Sequence, residues 1–116
     1  MIRAAHVILH STNAEADRAF FRDVLEYPFV DAGHDWLIFA LPPAELAIHP
    51  ADGGGAHELY LICDDLTAFV AEMSEHGLTC SDPHTERWGR ITDLTLPGGG
   101  TIGVYEPAHA SPLNVQ

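Results

Sequence analysis

Eight histidines are spread along the 116 residues, and two of them stand at matching places in an internal repeat. Ala5-His6-Val7-Ile8-Leu9-His10 and Ala56-His57-Glu58-Leu59-Tyr60-Leu61 each open with Ala-His, run apolar, and lead into an acidic turn and an amphipathic helix. Neutral imidazole suits divalent iron, nickel, zinc and manganese, so His6 and His57, aimed at one cavity by the repeat, are candidate metal ligands. Two imidazoles alone hold such an ion weakly, so a third protein ligand is required. Side chains two apart on a strand share a face, which makes His10 a companion of His6 and gives Glu45 and His49 the face of Ala47. The competing reading has His6 and His57 line a ligand pocket, bonded to water or backbone.

Aromatic and cationic residues offer a second chemistry. In Arg87-Trp88-Gly89-Arg90, Trp88 can stack on a planar ligand while Arg90 pairs with an anionic group. Trp36 is another candidate wall, and either tryptophan also suits a core or a dimer interface. The expected ligand-binding residues are His10, Trp36, His49, Trp88, Arg90 and Tyr105, with His6 and His57 as the metal pair. Ser11, Ser74, Ser81 and Ser111 lack any nucleophile motif. Gly98-Gly99-Gly100 joins two strands with no helix after it, so it reads as a hairpin turn rather than a phosphate loop.

The elements that must position these residues can be read from periodicity. A strand is expected over 4–11, then a helix capped by Thr12 or Asn13. Ala16, Phe20, Phe21, Val24 and Leu25 form its buried stripe, with Glu15, Asp17, Arg18, Arg22 and Asp23 on the wet side. Short strands follow over 29–31, 36–41 and 45–49, broken by Gly33-His34-Asp35 and Pro42-Pro43. After Asp52-Gly53-Gly54-Gly55 the pattern restarts at Ala56, with a helix carrying Leu66, Phe69, Val70 and Met73. Asp64 or Asp65 caps this helix and His76-Gly77 stops it. Strands over 78–81, 90–96 and 101–105 complete a second β-α-β-β-β unit. His34 and His84 fall in loops, and the tail from Pro107 is expected to be loosely held.

Composition bounds the function classes. One domain of this length buries enough surface for a core without staples. Seventeen acidic residues against five arginines give a net charge of −12, which repels phosphate backbones and anionic membranes. Nucleic acid and membrane partners are therefore not expected. Cys63 and Cys80 lack C-x-x-C spacing and are read as incidental thiols. With no signal-like or membrane-length apolar run, the expected location is cytoplasmic.

The order of these elements and the residues that punctuate it resemble the vicinal oxygen chelate superfamily, which includes glyoxalases, bleomycin-resistance proteins and extradiol dioxygenases. The residues that carry the resemblance are Ala5-His6-Val7-Ile8-Leu9 with Ala19-Phe20-Phe21-Arg22-Asp23-Val24-Leu25, His57-Glu58-Leu59-Tyr60-Leu61 with Asp64-Asp65-Leu66, and the closing run Leu96 to Pro107. The resemblance implies an α+β fold. Two βαβββ modules, roughly 4–50 and 56–107 of a single domain 1–116, would form a curled, mixed, eight-stranded half-barrel cup with helices outside, commonly completed by a second subunit. It also implies metal ligands on the first and last strands of each module. His6 and His57 fall at the first-strand positions, whereas the last-strand carboxylates are replaced by Ala47 and Gly103. Tyr105 shares the face of Gly103, and Glu106 takes the opposite one.

Two functions remain in competition at this level. One is a bleomycin-resistance-type protein that holds an apolar or aromatic small molecule in the cup. The alternative is a divalent-metal-dependent lyase, isomerase or dioxygenase using iron, nickel, zinc or manganese at His6 and His57. A homodimer is expected under both.

Overall fold

The computed structural model describes residues 6–45, 47, 52, 58–110 and 113. It shows an α+β fold whose mixed sheet is not closed. Among the described residues, the elements in chain order are α1 (Ala14–Asp23), β1 (Phe29–Asp31), β2 (Leu37–Phe39), β3 (Tyr60–Ile62) and α2 (Leu66–Glu75). They continue with β4 (Thr79–Cys80), β5 (His84–Glu86), β6 (Gly89–Thr95) and β7 (Thr101–Pro107). Among the described residues there are seven strands in two sheets, and the expected eight-stranded count is not confirmed.

The second half follows the expected pattern. β3 runs parallel to β7, β7 is antiparallel to β6, and β4 and β5 both pair with β6 along its other edge. The strand expected over 78–81 is β4, and a further strand that was not expected, β5, resumes the pairing with β6 after Ser81-Asp82-Pro83, where proline has no N–H for the ladder. Side chains stitch the break: Thr92 Oγ1 donates to the Ser81 carbonyl at 2.6 Å, and the Asp93 N–H donates to Ser81 Oγ at 2.9 Å. His84, expected in a loop, lies on β5 because the chain resumes pairing with β6 after the proline.

α2 is fixed at both ends. Asp65 Oδ1 accepts the Ala68 N–H at 3.0 Å, and Glu106 Oε1, reaching from β7, accepts the Leu66 N–H at 3.0 Å. Each such cap is worth about 1 kcal/mol. At the other end Gly77 takes φ +77° and the Leu78 N–H returns to the Met73 carbonyl, the left-handed stop expected for that glycine. Leu66 and Met73 bury against Leu94, Ile102 and Val104 on the inner face of the sheet.

α1 contributes Phe20 and Phe21 to this same core. Its N-cap is Asn13, whose Oδ1 accepts the Ala16 N–H at 3.2 Å. Asp17, expected on the wet side, is only 8% exposed and accepts the Gly98 N–H at 2.6 Å. The correction follows from position: Asp17 precedes Phe20 by three residues and Phe21 by four, so it belongs to their stripe despite its charge. Thr12 Oγ1 donates to the Gly98 carbonyl at 3.0 Å, so the start of α1 clamps the β6–β7 hairpin. The strand expected over 4–11 is not seen in its described part, since residues 6–11 join no ladder. In the second half the matching strand, β3, pairs with the last strand, β7. The counterpart of that last strand, 45–49, is described only at Glu45 and Ala47.

Candidate functional site

The pairing of β3, β6 and β7 fixes which side chains share the face away from α2. Tyr60 stands opposite Gly103 and Ile62 opposite Tyr105, while Ile91 and Asp93 oppose Tyr105 and Gly103 from β6. Directly paired residues point the same way, so these six positions form one face. Ile102, Val104 and Glu106 take the other, as the Glu106 bond to α2 confirms.

Three rings dominate the first face. Tyr60, Trp88 and Tyr105 contact one another edge to face, with centroids 6.2 Å apart for Tyr60–Trp88, 5.9 Å for Tyr60–Tyr105 and 5.1 Å for Trp88–Tyr105. Such perpendicular pairs are worth about 0.5–1.5 kcal/mol each beyond their buried area. Two glycines make the arrangement possible. A Cβ at Gly103 would run into the Tyr60 ring, so only glycine lets that ring lie on β7. Gly89 takes φ +151° and approaches the Glu106 backbone too closely for any side chain, which brings Trp88 back over Tyr105.

Polar groups border the rings. The Tyr105 hydroxyl lies 3.4 Å from Glu45 Oε1 and 3.3 Å from His109 Nε2. Burial pushes the Tyr105 phenol above its ordinary range, and the Glu45 carboxylate pushes it further. Tyr60 is raised by burial first, then by Glu58 and Asp93. A cavity of about 190 Å³ opens beside Tyr60 and Gly103, with Glu58, Asp93 and Thr101 in its wall. Because Tyr60 faces this side, alternation along the chain gives the same side to residue 58. His57 itself lies outside the described residues, as does His49.

The other expected site residues are scattered. His6 and His10 are exposed, in the segment 6–11. Trp36 sits in the β1–β2 turn with the Arg18 guanidinium 4.7 Å above its ring, so it stands with α1 rather than with Tyr105. Arg90 pairs with Glu106 across the ladder and donates to Thr67 Oγ1 at 3.3 Å. That places it on the α2 side, because position 90 has the opposite parity to Ile91. Of the expected set, Trp88 and Tyr105 are the two that the described structure brings together. Tyr60 and His109 were not anticipated. For Tyr60, the signal was its even spacing from Ile62 on a strand beside Gly103, which only the register makes legible. Cys63 and Cys80 are half-buried against the core, and burial raises both thiols.

Known structures share this architecture. TnmS3, an antibiotic binding protein from Streptomyces sp. CB03234, is 24% identical and superposes with a TM-score of 0.64 over 93% of this chain and 100% of its own. Lactoylglutathione lyase from Agrobacterium tumefaciens is 16% identical, with a TM-score of 0.65 over 90% of this chain and 92% of its own. A glyoxalase/bleomycin resistance protein from the same Streptomyces is 24% identical, with a TM-score of 0.57 over 83% and 93%. The chain has the glyoxalase/bleomycin-resistance fold. No protein-family model matches the sequence, and no curated protein does.

The glyoxalase/bleomycin-resistance fold raises the question of a divalent metal. The described residues do not fit one on this face: the Tyr60 ring fills the space that a carboxylate at position 103 would use, and Ala47 carries no donor. Among the described residues, no three His, Cys, Asp or Glu side chains converge as a metal site. Nor is any helix among them long and apolar enough to cross a membrane.

Proposed function

We propose that this protein binds a small flat aromatic molecule against Tyr60, Trp88 and Tyr105, without a metal at that face. The observation that carries this reading is the three-ring cluster seated on Gly103, which puts an apolar, π-rich surface where the resemblance implies a charged ligand. Tyr60 and Trp88 each remain 38% exposed and adjoin one another, so together they offer a contiguous apolar surface to a ligand. The fold shared with an antibiotic binding protein supports the same class of function, though fold alone does not carry it. The active form is proposed to be a homodimer, since Val7, Ile8 and Val30 leave apolar side chains in water. Sedimentation of the purified protein at twice the chain mass would support that state, and a monomer would refute it.

The binding claim is tested with naphthalene and quinoline as flat probes, followed by the Trp88 indole N–H signal in NMR titration. Both are expected to shift that signal saturably. Replacing Trp88 with alanine should weaken binding at least tenfold when it is followed on the backbone amides of Tyr60 and Tyr105, in line with the loss of an aromatic contact. Unshifted Trp88 resonances at probe saturation would overturn the reading.

A further inference from the structure

Residues 108–110 do not trail away from the rings. The Ala108 N–H donates to the Trp88 carbonyl at 2.9 Å, which pins the chain to the turn that carries Trp88. The next residue, His109, lays its imidazole against Tyr105, with centroids 6.0 Å apart and planes tilted by 40°. Its Nδ1 lies 2.8 Å from the Ala110 carbonyl. A carbonyl only accepts, so Nδ1 carries the hydrogen, and in the neutral tautomer with that hydrogen Nε2 is the acceptor that faces the Tyr105 hydroxyl at 3.3 Å. Tyr105 is the covered member of the ring cluster, 9% exposed, and this strap lies on it.

A flat heterocycle, resting on Tyr105 and accepting a hydrogen bond from it, is what a ligand of this face would look like. We propose that His109 is a built-in competitor for the ligand, and that the ligand is a flat heteroaromatic ring with an in-plane acceptor atom within reach of Tyr105 Oη. The proposal rests on the aromatic-binding reading above. Displacement is inexpensive for two reasons. Ala108, His109 and Ala110 are all exposed, so little buried surface is lost when they lift. Glu45 Oε1, 3.4 Å from Tyr105 Oη, gives the hydroxyl proton an acceptor during the exchange, so no buried donor is stranded. The same carboxylate disfavours an anionic ligand.

Quinoline and naphthalene have the same shape, and only quinoline has a ring nitrogen. In the full-length protein, quinoline is expected to bind about fivefold tighter than naphthalene, the factor one net hydrogen bond gives. Tyr105→Phe should bring that ratio to about one. His109→Ala, a change at an exposed position, should tighten both probes by about fivefold through loss of the competitor. Naphthalene affinity that is equal in wild type and His109→Ala would overturn the strap. A quinoline-to-naphthalene ratio unchanged by Tyr105→Phe would overturn the acceptor requirement. Both results leave aromatic binding standing, whereas no binding of either probe to any of the three proteins defeats aromatic binding and this inference together.

Discussion

The two halves of the chain carry an internal repeat, and their described residues reach different degrees of closure. Residues 58–110 build one five-stranded sheet with α2 capped from both ends and Thr92, Leu94 and Val104 wholly buried. The described part of the first half has α1 and a hairpin of two three-residue strands, and every residue of β1 is exposed. A two-stranded hairpin alone is marginal in water, so the described part of the first half leans on the second. That support comes through Phe20 and Phe21 in the shared core, through Asp17 and Thr12 on Gly98, and through Glu45 on Tyr105. A repeat in sequence does not imply equal shares of stability.

The largest expected effect tests that inequality at single side chains. Leu94→Ala empties a fully buried position and should cost about 2–5 kcal/mol. Val30→Ala, at a position 65% exposed, should stay within about 0.5 kcal/mol. Urea unfolding of both variants measures the contrast, and comparable losses would mean that β1 is buried in a way the single chain does not show. Such a result would also favour the homodimer.

A smaller effect is expected at the clamp between the halves. Asp17→Ala leaves the Gly98 N–H without its acceptor and should cost about 1–3 kcal/mol. Asp17→Asn keeps an acceptor oxygen and should recover part of the loss. The loss should be local: amides of α1 exchange faster while those of β6 and β7 keep their protection. Uniform acceleration across the sheet would show that α1 supports the second half as much as it leans on it.

How far the sequence discloses this molecule follows the same division. Both helices, the stop at Gly77 and the long β6–β7 hairpin are legible because periodicity, caps and glycines agree there. Asp17 misled because its charge was weighed above its place in the stripe. The bend at Pro83 hid β5, since a proline breaks a strand on paper whether or not pairing resumes after it. Face assignments suffered most: alternation is certain within a strand, but a shift of one residue exchanges the faces. Only the opposition of Tyr60 to Gly103 shows that Tyr60 belongs to the candidate site. His109 lies in a tail with no pattern of its own, and nothing but the fold brings it to Tyr105.

The smallest expected effect is electrostatic, and it probes the third link between the halves. Burial leads the upward shift of all three tyrosines, Tyr27, Tyr60 and Tyr105. A raised phenol pKa means that the fold favours the protonated form. The associated stability is therefore whole below the ordinary tyrosine value of about 10 and is lost as pH climbs through the higher folded values. Tyrosinate absorbance should accordingly lag behind that of a free tyrosine, with stability declining only in that alkaline range. The contributions can be separated, because Glu45 acts on Tyr105 whereas Glu58 and Asp93 act on Tyr60. Glu45→Gln should lower the titration of Tyr105 and leave Tyr60 and Tyr27 where they were. A Tyr105 titration indifferent to that change would place residue 45 away from the ring in solution and remove one of the described contacts by which the first half leans on the second.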